Sequence, residues 1–128
     1  MNLTDIKAKE IMVSKLITSA PDEKVGSTDI LMVRRGIGCL LITSGEKLVG
    51  ILTNRDIVRL KNSTDTIHKT VAQIMTKNPM TITSDTNLKE IIKIMVTHSI
   101  EHLPVVENGK LVGLIGHNQI FRSLIKVL

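Results

Sequence analysis

Apolar and polar positions follow two rhythms along this chain, and the same succession of rhythms occurs twice. Leu88, Ile91, Ile92, Met95 and Val96 recur at three- and four-residue intervals, the signature of one helix face, and Lys24 to Arg35 has the same character. Two strand-like runs follow each amphipathic stretch: Cys39 to Thr43 and Lys47 to Leu52, then Leu103 to Glu107 and Lys110 to Ile115. Asn108-Gly109 between the second pair is a strong hairpin signal, because a type I′ turn needs positive φ at both central residues. Ser44-Gly45-Glu46 connects the first pair. A closing helix is predicted over Asn54 to Lys61 and again over Asn118 to Leu128. Each copy opens with a short helix ending near Met12 or Met75 and an extended stretch, Leu16 to Thr18 or Met80 to Ile82. Asp22 and Asp85 stand just ahead of the amphipathic helices, where an acid can cap or favour the positive helix start.

Sliding the chain on itself by 63 residues aligns 8–60 with 71–123 without a gap, and 14 positions are identical. They include Met12/Met75, Asp22/Asp85 and the run Lys47 to Gly50 with Lys110 to Gly113. The chain therefore reads as a first repeat with its N-terminal helix over 1–61, a polar linker over 62–69 and a second repeat over 70–128. A sheet this small with helices on one face exposes its other apolar surface. Two copies packed with pseudo-two-fold symmetry would bury that surface and create two related clefts, places suited to ligands.

Composition narrows the class. The 128 residues hold 42% apolar residues but a single aromatic, Phe121, so the interior is built from Ile, Leu, Val and Met and suits an α/β (α+β) core. The net charge of +5 is spread evenly, 10 basic and 7 acidic residues up to residue 63 and 7 and 5 after it, with no basic block. Such a balance describes a solvated surface and gives no argument for nucleic acid. Cys39, the one cysteine, excludes an internal disulfide and fits a reducing cytoplasm; its place in an apolar run is that of a buried thiol. The N-terminal residues lack a signal-peptide core and no apolar stretch approaches a membrane span, so a cytoplasmic protein is expected.

The segment Gly50-Ile51-Leu52-Thr53-Asn54-Arg55-Asp56 carries the most chemistry. Thr53 as N-cap and Asp56 at the third helical position make an ordinary helix start. The same geometry also serves a ligand: helix-start amides and a hydroxyl hold a phosphate, and a carboxylate one turn on accepts hydrogen bonds from a ribose diol. The second copy reads Gly113-Leu114-Ile115-Gly116-His117-Asn118-Gln119, with Asn118 as an alternative cap. Capping therefore does not demand Thr and Asp, and the asymmetry favours a ligand role for the first copy.

Taken together, "IMVSKLITSAPD" and "IMTKNPMTITSD" at the starts, "GEKLVGILTNRDIVR" in the first copy and "HSIEHLPVVENGKLVGLI" in the second resemble the CBS domain, in tandem as a Bateman module. The resemblance implies two β-α-β-β-α units, frequent homodimerisation into a flat disc, and binding of an adenosine-containing ligand such as AMP, ADP, ATP or S-adenosylmethionine to regulate a partner protein. It implies that Asp56 binds the ribose hydroxyls and Thr53 the ribose or phosphate, next to Asn54 and Arg55. Met75, Thr76, Met80, Ile100 and Glu101 would surround the adenine, and His117 would reach a phosphate. Met or Ile at such positions also serves simply as core. In the related cleft Met12, Ile17, Ile37 and Gly38 would form the base wall, but Gly116 and Gln119 replace Thr and Asp, so weak occupancy or none is expected there.

His98 and His102 have the spacing of a helical zinc pair, but no third ligand is evident and the helix is expected to end between them, so no metal site is assigned. No catalytic triad, P-loop or dinucleotide fingerprint occurs, and an enzyme is not expected. Two alternatives to a ligand-sensing module stay open. One is a nucleic-acid-binding module, disfavoured by the lack of stacking aromatics and basic clusters. The other is a structural dimerisation unit with vestigial clefts.

Overall fold

The computed structural model describes residues 2–59 and 66–128. In chain order it contains α1 (Ala8–Ile11), β1 (Thr18–Ser19), α2 (Val25–Arg35), β2 (Cys39–Ser44), β3 (Lys47–Thr53) and α3 (Asn54–Arg59). Then come α4 (Val71–Ile74), β4 (Thr76–Lys77), α5 (Leu88–His98), β5 (His102–Glu107), β6 (Lys110–Gly116) and α6 (His117–Leu124). Short 3-10 turns cover Thr66–His68 and Ile125–Val127. The end of the first closing helix, expected to reach Lys61, and linker residues 62–65 lie outside the described residues.

Two compact units result, one made of Ile17–Pro79 and one joining the stretch up to Leu16 to Met80–Leu128. In the Ile17–Pro79 unit the sheet order is β1-β2-β3-β4, with β1 parallel to β2 and the other pairs antiparallel. The β5-β6 hairpin of the other unit gains the same neighbours as single bridges: Ile82 parallel to Val105, and Val13 antiparallel to Leu114. The pair Thr76 with Ile51 and the pair Val13 with Leu114 are the same edge, one 63-residue offset apart. Sequence repeats and compact units thus divide the chain differently. The helical start of each repeat is folded against the hairpin of the other.

Glycines explain why this docking is so close. A methyl at Gly50 would lie 2.9 Å from Cγ of Met75, and one at Gly113 would lie 2.8 Å from Cγ of Met12. Only a residue without Cβ lets the methionine lie across the strand. The rest of each core is aliphatic. Met32, Leu40, Ile42, Leu52, Ile57 and Val71 cluster in the Ile17–Pro79 unit, and Leu88, Ile91, Leu103, Val105 and Ile115 are among the buried residues of the other. Among the described residues the two buried hydroxyls bond back into their own helices, Thr28 to the Val25 carbonyl at 2.8 Å and Ser123 to the Ile120 carbonyl at 2.7 Å. Each therefore enters the core with its donor satisfied.

The hairpins form as their turn residues dictate: Asn108 and Gly109 have φ of 50° and 78°, and Gly45 has φ of 63°. Both hairpins also break register at the same repeat position, between Ile42 and Thr43 and between Val105 and Val106. The helix starts differ from expectation. Helices α2 and α5 begin later than an Asp cap would require, so the N-caps are Lys24 and Asn87, with the Asn87 side chain accepting from the Glu90 amide at 2.9 Å. Asp85 instead pairs with Lys9 at 3.1 Å on an exposed surface, a contact worth little in water. Helix α6 starts at His117 behind Gly116, one residue before the Asn118 cap read from sequence, because strand β6 runs directly into it.

Gly50→Ala should cost about 1–3 kcal/mol by overpacking against Met75. In urea denaturation the double variant Gly50→Ala/Met75→Ala should lose less than the two single variants combined, with a coupling of at least about 0.5 kcal/mol. Strict additivity would show that the contact does not matter.

Candidate functional site

The site residues of the Ile17–Pro79 unit gather where β3 hands over to α3. Strand β3 ends at Thr53 and helix α3 begins at once, so the backbone must present unpaired amides at the junction. Asp56 satisfies one of them: its Oδ2 accepts from the Thr53 amide at 2.8 Å and from Thr53 Oγ1 at 3.1 Å. The Asp56 amide in turn donates to Thr53 Oγ1 at a longer 3.4 Å. This is a capping box with an aspartate in the distal position, and it aims a half-buried carboxylate at the positive end of the helix.

Neighbouring elements close around this corner. The Asn54 amide donates to the Gly38 carbonyl at 3.1 Å, and Asn54 Nδ2 lies 3.2 Å from where a Gly38 Cβ would stand. Met75 covers Gly50 in β3, and exposed Thr76 pairs with Ile51 on the next strand. Ile17, Ile37 and Met75 all pack on the same core cluster. Arg55 is exposed on the first turn of α3. Thus Thr53, Asn54, Arg55, Asp56, Met75 and Thr76 share a unit with Ile17, Ile37 and Gly38, which sequence reasoning assigned to the other cleft.

Met12, Met80, Ile100, Glu101, His117 and Gln119 belong to the other unit. Here the β6-α6 junction is tied by the Gly116 amide donating to Gln119 Oε1 at 2.7 Å. Met12 lies over Gly113, while Met80, Glu101 and His117 are exposed and Ile100 is half-buried. His117 is tilted against Phe121 with ring centroids 6.1 Å apart.

Sequence reasoning read Cys39 as a buried thiol, as it is, and His102 as a rejected zinc ligand, but placed neither beside a junction. Cys39 pairs with Thr53 across the strands, and His102 pairs with Gly116 in the same repeat position. The 63-residue offset that aligns Cys39 with His102 was the available signal. Burial, with the Asp56 charge in support, pushes the Cys39 thiol up to about 12. Burial lowers His102 from 6.5, His117 adds to the effect and Glu101 opposes it. His98 ends α5 and His102 begins β5, so the two do not share a helix face. Among the described residues no group of three His, Cys, Asp or Glu is arranged to hold a metal, and no helix is long and apolar enough to cross a membrane.

The CBS domain family profile matches residues 8–63 and again 71–126. Inosine-5'-monophosphate dehydrogenase of Korarchaeum cryptofilum is 37% identical over 116 residues, covering 90% of this chain but 24% of that enzyme. An uncharacterized 17.7 kDa protein of Acidianus ambivalens is 32% identical, covering 94% of this chain and 74% of its own length. Among solved structures, the CBS domain pair of protein MJ0100, in complex with 5'-methylthioadenosine and S-adenosyl-L-methionine, superposes with a TM-score of 0.85. It is 26% identical, covering 95% of this chain and 98% of the other.

The environment of Cys39 has a direct chemical consequence. A thiol of pKa about 12 is ionised to roughly one part in ten thousand at pH 8, and the thiolate is the reactive form. Alkylation of the native chain by iodoacetamide at pH 8 should therefore run at least about a hundredfold slower than that of the urea-unfolded chain. Equal rates would show that the junction is open in solution.

Proposed function

Since the chain belongs to the CBS domain family and carries two such domains in tandem, we propose that it binds an adenosine-containing ligand, AMP, ADP, ATP or S-adenosylmethionine, and regulates a partner protein instead of catalysing a reaction. The observation that carries this reading is the Asp56 carboxylate at the β3-α3 junction. Its two bonds to Thr53 fall on the single oxygen Oδ2, and a carboxylate has about four acceptor sites, so a ribose diol finds acceptors already oriented. The α3 amides and the Thr53 hydroxyl suit an attached phosphate or other polar group. Met75, at the end of α4, and Thr76, in β4, lie beside β3 ahead of the junction and offer apolar and polar contact for a base. All these residues belong to one unit. The ligands of the MJ0100 domain pair, both adenosine derivatives, support the ligand class.

Regulation follows if the ligand binds one arrangement of the protein better than another, since only that difference in affinity shifts an equilibrium. The partner is proposed to be a separate protein or a further copy of the chain. In support of the latter, exposed apolar residues recur at equivalent repeat positions: Val33 and Val96 are 76% and 74% exposed, Val58 and Phe121 61% and 63%. Such residues are unremarkable singly, but their recurrence in both units fits a surface covered by association.

Isothermal titration with AMP, ATP and S-adenosylmethionine tests the ligand. Asp56→Asn keeps the side-chain shape but turns one acceptor oxygen into an amide donor and removes the charge, so it should weaken binding tenfold or more, about 1.4 kcal/mol, with little change in melting temperature. Equal binding by wild type and Asp56→Asn would sink the site assignment, and no binding by the wild type would sink the function. For self-association, sedimentation should show a dimer that the double variant Val96→Glu/Phe121→Glu turns monomeric. A wild-type monomer at micromolar concentration would contradict it.

A further inference from the structure

The two helix starts made equivalent by the duplication are held in different ways. Three hydrogen bonds between Thr53 and Asp56 secure the start of α3. At α6 the corresponding tie is the one from the Gly116 amide to Gln119 Oε1. Helix α3 carries an acid in its first turn and α6 carries none. Beneath α3 lies a small buried thiol, and beneath α6 a half-buried imidazole.

That imidazole lies against the start of α6, within ordinary contact distance of Gly116. A Cβ at Gly116 would lie 3.4 Å from His102 Cδ2 and 3.3 Å from Gln119 Oε1. The second copy thus has Gly, Gln and His where the first has Thr, Asp and Cys, and His102 is the cross-strand neighbour of the joint between β6 and α6. Two charged or titratable groups act on this ring. Glu101, immediately before it, favours its protonated form; His117, the first residue of α6, disfavours it. From β6 the facing residue is Gly116, and from α6 the other polar neighbour at the joint is the neutral amide of Gln119.

We propose that the start of α6 is a proton-operated joint: protonation of His102 loosens α6 from the β5-β6 hairpin, while α3, with Cys39 at the equivalent place, stays closed. A protonated imidazole needs water that its half-buried place restricts, and it faces both His117 and the positive end of α6. Glu101 alone opposes these effects and does not outweigh burial. Because closure depresses the affinity of His102 for a proton, the closed joint is fully stable above the ordinary imidazole value of 6.5 and loses stability as pH falls below it. Opening would also release Ile120, which is buried in the core beneath α6. This device does not depend on any ligand.

Amide hydrogen exchange on the full chain at pH 7.5, 6.5 and 5.5 tests it, with rates divided by the intrinsic chemical rate and segments 117–124 and 54–59 compared within one sample. The protection of α6 relative to α3 should fall several-fold across this range in the wild type and stay flat in His102→Gln. A wild-type ratio that does not change with pH overturns the proposal, and so does an equal fall in His102→Gln. If His102→Gln does not fold, the wild-type ratio still decides, read beside the titration of the His102 ring by NMR. A ring that stays neutral while α6 loosens would also overturn it.

Discussion

A methionine side chain lies across a glycine in the second strand of each hairpin, Met75 on Gly50 in β3 and Met12 on Gly113 in β6, and the folding of both units turns on that approach. A hairpin with two helices on one face has too little apolar surface to stand alone. The short helices α1 and α4 supply what is missing, but a single helical turn cannot hold itself together in water. It is held by its last apolar residue, which reaches the sheet only because the strand has no side chain there. The chain that follows each methionine then pairs with the same strand, Thr76 with Ile51 and Val13 with Leu114. One close contact therefore fixes a helix, a strand edge and the floor below the β3-α3 or β6-α6 junction.

At the first junction the structural and the proposed ligand-binding roles of Asp56 use different parts of one carboxylate. Oδ2 closes the capping box, which orients the group at the helix start. A carboxylate already fixed in place loses little freedom when a diol arrives, so the cap also serves as preorganisation. The buried thiol of Cys39 fits this setting, because a reactive thiolate beside Asp56 would be repelled by it and poorly solvated.

The alternation of apolar positions was enough to place the amphipathic helices and the hairpin strands, and the 63-residue offset exposed the duplication, because both depend on periodicities that the chain carries locally; strand β4 was not legible this way. The type I′ hairpin at Asn108-Gly109 was legible for the same reason: its turn is decided by two adjacent residues. The caps were less so. Asp22 and Asp85 are sound capping residues in sequence, yet the N-caps are Lys24 and Asn87, positions set by where the bridges Lys24 to Thr70 and Lys7 to Asn87 draw the chain. The docking of each repeat's first helix on the other repeat's hairpin was not visible, since it joins residues far apart in the chain. Ile17, Ile37 and Gly38 share the repeat as well as the unit of Thr53 and Asp56, so their grouping does not depend on that docking. Also hidden was the importance of Cys39 and His102, whose place beside the junction appears only when strands are paired.

The duplication also explains where the copies are free to differ. Replacing a core residue such as Leu40 or Leu103 opens a cavity and costs several kcal/mol, typically about 2–5 for a leucine truncated to alanine, so apolar positions tolerate little change. A hydrogen bond at a helix start contributes only about 1 kcal/mol net, and an alternative partner restores most of it. Gln119 does so at α6, accepting from the Gly116 amide much as Asp56 accepts from Thr53. The junctions are thus the part of each unit where polar chemistry can be rewritten without unfolding the protein. In one copy that freedom left a fixed negative charge over a neutral thiol, and in the other a titratable ring under an uncharged cap. Two units built on one scaffold accordingly present different electrostatics at the same corner.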